Sequence, residues 1–207
     1  RTHAESTGSI FYTQWRELIG PVNWQKIFLY MYTNHVDKHT TDIQYRHIHG
    51  KLAHRLSLYF SQLQEDSRCT RCRLWPEDIQ HIFLHCPISN LLWVRVTELI
   101  KNSTNYNSDD FVHPRFIVVG FADLPNLKQY LTPLEDFRTA FFSSVWKTRN
   151  ASLWDGKDIP LVPLFKRHLA NLIAQRYRIA SKNGKTPEML RLYGHNRIFT
   201  THNDTIE

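Results

Sequence analysis

Glycine is scarce, with seven in 207 residues, and runs of β-branched residues are few. That scarcity disfavours a turn-rich sandwich and favours helices. Long apolar runs are missing too: nothing approaches the roughly 18 apolar residues needed to span a bilayer. The amino terminus lacks the basic-then-apolar layout of a secretory leader. The chain is therefore expected to be intracellular, with no membrane partner. It starts at Arg1 rather than Met and reads as part of a longer polypeptide.

Catalytic signatures are missing as well. There is no Gly-x4-Gly-Lys phosphate loop, no Gly-x-Ser-x-Gly elbow and no His-Glu-x2-His helix. Two-metal polymerase or nuclease chemistry needs convergent carboxylates. The one adjacent Asp-Asp pair, Asp109-Asp110, falls in a polar stretch without the aromatic-x-Asp-Asp context of reverse transcriptases. His35, His47, His49, His168 and His195 read as polar surface residues. No catalytic residue is assigned, and the chain is not expected to be an enzyme by itself.

What is present is a core. Hydrophobic residues make up 42% of the sequence, with six Trp, nine Tyr and twelve Phe, which excludes a disordered chain. The net charge of +7 is uneven. Arg138 to Arg197 holds twelve Lys and Arg against three acids, a net +9, and the remaining residues sum to −2. A third of the chain carrying all the excess suggests a surface for phosphate backbones, against the plainer reading of solvated helix faces.

The first eight residues look frayed. Helical periodicity begins near Ser9, with Phe11, Trp15, Leu18 and Ile19 on one side, and Gly20-Pro21 stops it. A second run extends from Val22 to about Tyr32. A third is expected from Thr41 to Phe60, capped by Thr40 or Thr41, with Ile43, Ile48, Leu52, Leu56 and Tyr59 near a common stripe. Its opposite face, Arg46, His47, Lys51, His54 and Arg55, reads as wet. Short helices are expected at Glu77 to His85 and Ser89 to Lys101, with a polar linker from Asn102 to Asp110. His113 to Phe121 could be strand or helical turn. Two long helices follow, from Pro133 to Trp154 and from Pro160 to about Lys182, each opened by its proline. Beyond Asn183-Gly184 the chain reads as a polar tail, mobile at its end.

All three cysteines fall in Cys69-x2-Cys72-x8-His81-x4-Cys86. Two thiolates two residues apart reach one ion from a tight turn, and a distant His-x4-Cys pair completes a tetrahedron suited to zinc. Four protein ligands leave no open position, so the site should be structural. His85 competes with His81, but it adjoins Cys86, and neighbouring side chains point apart. A Cys69-Cys72 redox pair would lack a preceding strand and leave Cys86 idle. Arg68, Arg71 and Arg73 bracket the first pair and could either balance the thiolate charge or touch phosphates. Leu74, Trp75 and Phe83 are expected to pack the module against the helices.

With these residues in place, the sequence resembles the zinc-binding region at the C-terminus of reverse transcriptases of LINE-type, non-LTR retrotransposons. The resemblance lies in Cys69-Thr-Arg-Cys72, Glu77-Asp78, His81-Ile-Phe-Leu-His-Cys86-Pro87 and Leu91-Leu-Trp93. It extends to the lead-in from Asp42 to Leu52 and to Trp146-Lys-Thr-Arg149-Asn150. It implies one structural zinc, an upstream polymerase domain in the same polypeptide, RNA or DNA as partner and a nuclear location.

The fold expected is mainly α, two helical lobes joined by a small CCHC zinc knuckle: residues 1–62, a zinc module with its following helix at 63–104, and a basic helical lobe at 105–207. The function expected is auxiliary nucleic-acid binding, with Arg68, Arg71, Arg73, Lys147, Arg149, Lys166, Arg167, Arg176 and Arg178 as candidate contacts. The alternative is a zinc-stapled scaffold that binds protein through exposed Trp and Phe.

Overall fold

A computed structural model describes residues 10–34, 37–104, 109–122, 130–194, 201–202 and 205–206. The expectations for residues 1–8 and for the middle of the 102–110 linker lie outside them. The fold is mainly helical. Helix α1 (Ile10–Ile19) stops where expected, because Gly20 takes φ +74° and its N–H bonds back to the Arg16 carbonyl. Helix α2 (Trp24–Asn34) follows, with the Asn23 side chain accepting from the Lys26 N–H.

The third run divides. Helix α3 (Lys38–Ile48) is capped by Asp37, not by Thr40 or Thr41, and its carboxylate accepts from the His39 and Thr40 N–H groups. The helix ends before Gly50 at φ +65°, and α4 (Arg55–Phe60) restarts with His54 in a reciprocal capping box with Ser57. The apolar stripe crosses this break, which is why periodicity alone read one helix. Helices α5 (Pro87–Thr104) and α6 (Pro114–Val118) each begin at a proline, and α6 settles the ambiguous 113–121 segment as helical.

Helix α7 (Leu131–Trp154) begins two residues before Pro133, and α8 (Leu161–Lys182) follows Pro160 as its cap. Helix α9 (Thr186–Gly194) occupies part of the stretch read as a polar tail, and its Met189 and Tyr193 are buried. Two residue pairs near the end, Thr201–His202 and Thr205–Ile206, form a small antiparallel ladder.

The helices expected in separate lobes share one hydrophobic cluster that runs from Trp15 to Tyr193. Helix α7 is its axis: it touches α3, α5, α8 and the turn that carries His81. Every residue of α7 from Pro133 to Val145 is buried. A helix enclosed on all sides must satisfy its charges internally. Arg138, 1% exposed, donates to the Ile117 and Val118 carbonyls at 2.8 and 2.7 Å and to Glu135 at 3.2 Å. Glu135 in turn accepts from the Phe121 N–H at 2.7 Å. Gly120 is required there, because a Cβ on it would meet a Glu135 carboxylate oxygen at 2.1 Å. Asp136 accepts from Arg176 and from the Tyr193 hydroxyl, which docks α8 and α9.

His47, expected on a wet face, lies among Trp15, Phe83 and Phe142 with ring centroids 4.7 to 5.2 Å away, and neither ring nitrogen has a hydrogen-bond partner among the described residues. Burial, aided by the charge of Arg138, lowers its pKa from 6.5 to about 3. The unfolded chain then binds the proton first, so stability held by neutral His47 is whole above about pH 6.5 and lost as pH falls toward 3. His47→Leu should flatten this acid limb relative to wild type while leaving stability at pH 8 equal or higher. Urea unfolding of both proteins from pH 8 to pH 4 measures it, and parallel acid limbs would refute it.

Candidate metal centre

The segment around Cys69 has no apolar period and is held by backbone pairing instead. Arg68 and Pro76 form an isolated antiparallel bridge, the Cys69 N–H donates to the Trp75 carbonyl at 2.8 Å, and the Glu77 N–H donates to Ser67 at 2.8 Å. Between these arms the chain reverses through Cys69–Arg73. Arg73 sits in the left-handed region at φ +57°, its N–H bonded to the Cys69 carbonyl at 2.9 Å. This tight loop aims the first two thiols the same way.

The second pair comes from a π-turn, His81–His85, rather than from an α-helix. The Cys86 N–H reaches back five residues to the His81 carbonyl at 2.8 Å, so residues five apart lie above one another. An α-helix would have rotated Cys86 away from His81. Pro87 completes the geometry by holding Cys86 extended, at ψ 122°.

The four ligand atoms of Cys69, Cys72, His81 and Cys86 lie within 4.8 Å of one another. The Cys69 and Cys86 sulfurs are 4.0 Å apart, and the Cys72 sulfur is 3.3 Å from His81 Nε2. Zinc with Zn–S near 2.3 Å and Zn–N near 2.0–2.1 Å sets tetrahedral ligand atoms about 3.5–3.8 Å apart, so these separations fit it. His85 is exposed and stands outside the cluster. The four residues can hold the ion as three thiolates and one imidazole, and zinc there would supply a cross-link between loop and π-turn.

Electrostatics favour the thiolate at Cys86 and oppose it at Cys69. The hydrogen bond with Cys69 drives the Cys86 thiol far below its ordinary range, helped by His81 and by the charge of Arg71, and the same bond pushes Cys69 up. Burial alone would lower His81, but hydrogen bonds to Cys86 and Cys72 outweigh it and the net direction is upward. Arg71 is half-buried and donates to the Ile82 carbonyl at 2.8 Å, so it braces the site rather than facing a phosphate. Arg68 and Arg73 are exposed, and Arg68 pairs with Asp66 at 3.1 Å. Phe83 is buried as expected, but Leu74 and Trp75 are 65% and 62% exposed.

One residue missed in the sequence ties the knuckle to the core. Glu77 is fully buried, and its Oε1 accepts from the Arg55 N–H at 3.1 Å and from Arg149 Nε and Nη2 at 3.0 and 2.6 Å. Arg149, 1% exposed, also lies over the Trp146 ring at 5.1 Å and donates to Asn150. It is therefore corrected from a nucleic-acid candidate to a structural residue, because its guanidinium is enclosed and paired. Arg176 is corrected likewise: its fork is engaged by Asp136 at 2.6 and 2.7 Å. Lys147, Lys166, Arg167 and Arg178 are exposed.

Residues 9–93 match a family model described as zinc-binding in reverse transcriptase. The matched segment includes all four metal-site residues as well as α1 and α2, and it stops inside α5, short of Trp146–Asn150. No curated protein and no solved structure matches the chain.

Two measurements check this site. His81→Ala should release metal, whereas His85→Ala should retain it, as read by native mass spectrometry; equal metal content in both would contradict the geometry. Arg149→Met should destabilise the protein by about 3–5 kcal/mol in urea, because a buried Glu77 carboxylate loses its countercharge. Replacing both, as Glu77→Gln with Arg149→Met, should recover part of that loss.

Proposed function

We propose that this chain is an auxiliary, non-catalytic nucleic-acid-binding region of a LINE-type retrotransposon reverse transcriptase, stapled by one structural zinc ion. In this reading an upstream polymerase domain in the same polypeptide performs synthesis, the place of action is the nucleus, and RNA or DNA is the partner. The family match over the metal site supports the reverse-transcriptase context. Among the described residues, no helix is long and apolar enough to cross a membrane.

The observation that carries the nucleic-acid reading is a stripe on α8. Arg167, Asn171, Gln175, Arg178 and Lys182 are all exposed. At 100° per residue they fall within about 40° of Asn171, along roughly 22 Å of helix. Three other cations of the basic region, Arg138, Arg149 and Arg176, are committed to buried carboxylates or carbonyls. Of the nine cations left in that region, Lys166, Arg167, Arg178 and Lys182 lie exposed on α8, and three of them follow the stripe, an arrangement that neutralises successive phosphates.

A second reading rests on a different surface. Phe60, Leu63, Leu74 and Trp75 are 62 to 74% exposed around the knuckle, an apolar group that would suit a protein partner. Titration of RNA and DNA binding with salt separates the two. Neutralising Arg167, Arg178 and Lys182 together should weaken binding and lower the magnitude of the log–log salt slope by about 2–3. Binding that is weak at low salt, or a slope unchanged in the triple variant, would favour the protein-binding scaffold.

A further inference from the structure

Between the start of α3 and the facing sides of α7 and α8 lies a cleft of 370 Å³ that the metal site does not use. Asp37, Ser143, Lys147, His168, Asn171 and Gln175 line it. Ser143 and Lys147 stand one turn apart on α7, and His168, Asn171 and Gln175 repeat at turn spacing on α8, so two polar rows face each other.

Three observations are unusual for a plain interhelical seam. The Lys147 ammonium has no carboxylate partner among the described residues and meets only a ring nitrogen, His168 Nε2, at 3.5 Å. Ser143 lines the cleft yet is 1% exposed, and its hydroxyl has no hydrogen-bond partner among the described residues. The acid present, Asp37, is already engaged: Oδ1 accepts two backbone N–H groups and Oδ2 accepts the Thr40 hydroxyl. Donors are thus in excess and a buried hydroxyl waits for an acceptor, the complement of a tetrahedral oxyanion.

We propose that this cleft is a phosphate-binding site, in which Lys147 and Ser143 donate to the phosphate oxygens and His168 and Asn171 complete its surround. Continuity with the α8 stripe through Asn171 and Gln175 makes a phosphate of a nucleic-acid backbone the source expected. The site rests on the proposed function only for that source. Burial, then the charges of Lys147 and Arg167, lower His168 to about 4, against the opposing charge of Asp37. A bound phosphate offsets those two cations and should raise it.

The test uses the full chain with labelled histidines, His168 being assigned through His168→Gln, and two probes, inorganic phosphate and oligouridine. Phosphate should shift the His168 resonance and move its titration upward. Lys147→Gln should weaken phosphate binding about tenfold and Ser143→Ala about threefold, with Lys147→Arg restoring most of the first loss. A His168 signal indifferent to both probes overturns the site, even if oligouridine still binds elsewhere on α8. Response to phosphate alone supports the site with a free phosphate species as ligand and counts against a nucleic-acid backbone there.

Discussion

One carboxylate oxygen, Glu77 Oε1, fixes how the metal site sits on the rest of the protein. It lies where the second arm of the knuckle ends, and it gathers the first N–H of α4 and two nitrogens of an arginine 72 residues away on α7. Zinc would hold the loop and the π-turn to each other, but neither contact says which way the module faces. The Glu77–Arg149 pair supplies that orientation. A buried ion pair adds little net stability over an apolar replacement, while either half alone is costly to bury. Its role is therefore to specify one docking arrangement.

Helix α7 makes this possible by being enclosed on every side from Pro133 to Val145. Each charge on its buried stretch has a stated partner: Glu135 with Arg138, Asp136 with Arg176, and Arg149 with Glu77. Neighbouring elements are thereby located by charge as well as by packing. α6 is held through its carbonyls, α8 and α9 through Asp136, and the knuckle through Arg149. Four cations of α8, Lys166, Arg167, Arg178 and Lys182, are left facing outward.

The metal site was legible in the sequence because ligand chemistry admits few spacings, and His81 was separable from His85 by the direction of adjacent side chains. The route to it was not: a π-turn leaves no compositional mark, so the helix around His81 was read as α. The stop at Gly20 follows a local rule and was read, whereas α5 starts at Pro87, two residues before the expected Ser89, and α6 falls in a run too short for periodicity to decide. The division of α3 from α4 was hidden because the apolar stripe continues across Gly50. Arg149 and Arg176 looked like surface cations since charge alone carries no burial information; their acids, Glu77 and Asp136, are distant in sequence. His47 misled for the converse reason, as a histidine reads polar whether or not water reaches it. Helix α9 was missed because a stretch this rich in polar residues reads as a tail, although its Met189 and Tyr193 are buried.

Cys86 occupies two structures at once. Its sulfur belongs to the metal cluster, and its carbonyl accepts from the Asn90 N–H as the first rung of the 18-residue α5. Trp93, Val96 and Ile100 then carry that helix into the centre of the molecule. A single backbone unit is thus both a clamp on the ion and the tether of a rod reaching the interior. The placement of that one residue at the ion therefore also sets where the rod begins, and with it the register in which Trp93, Val96 and Ile100 enter the interior.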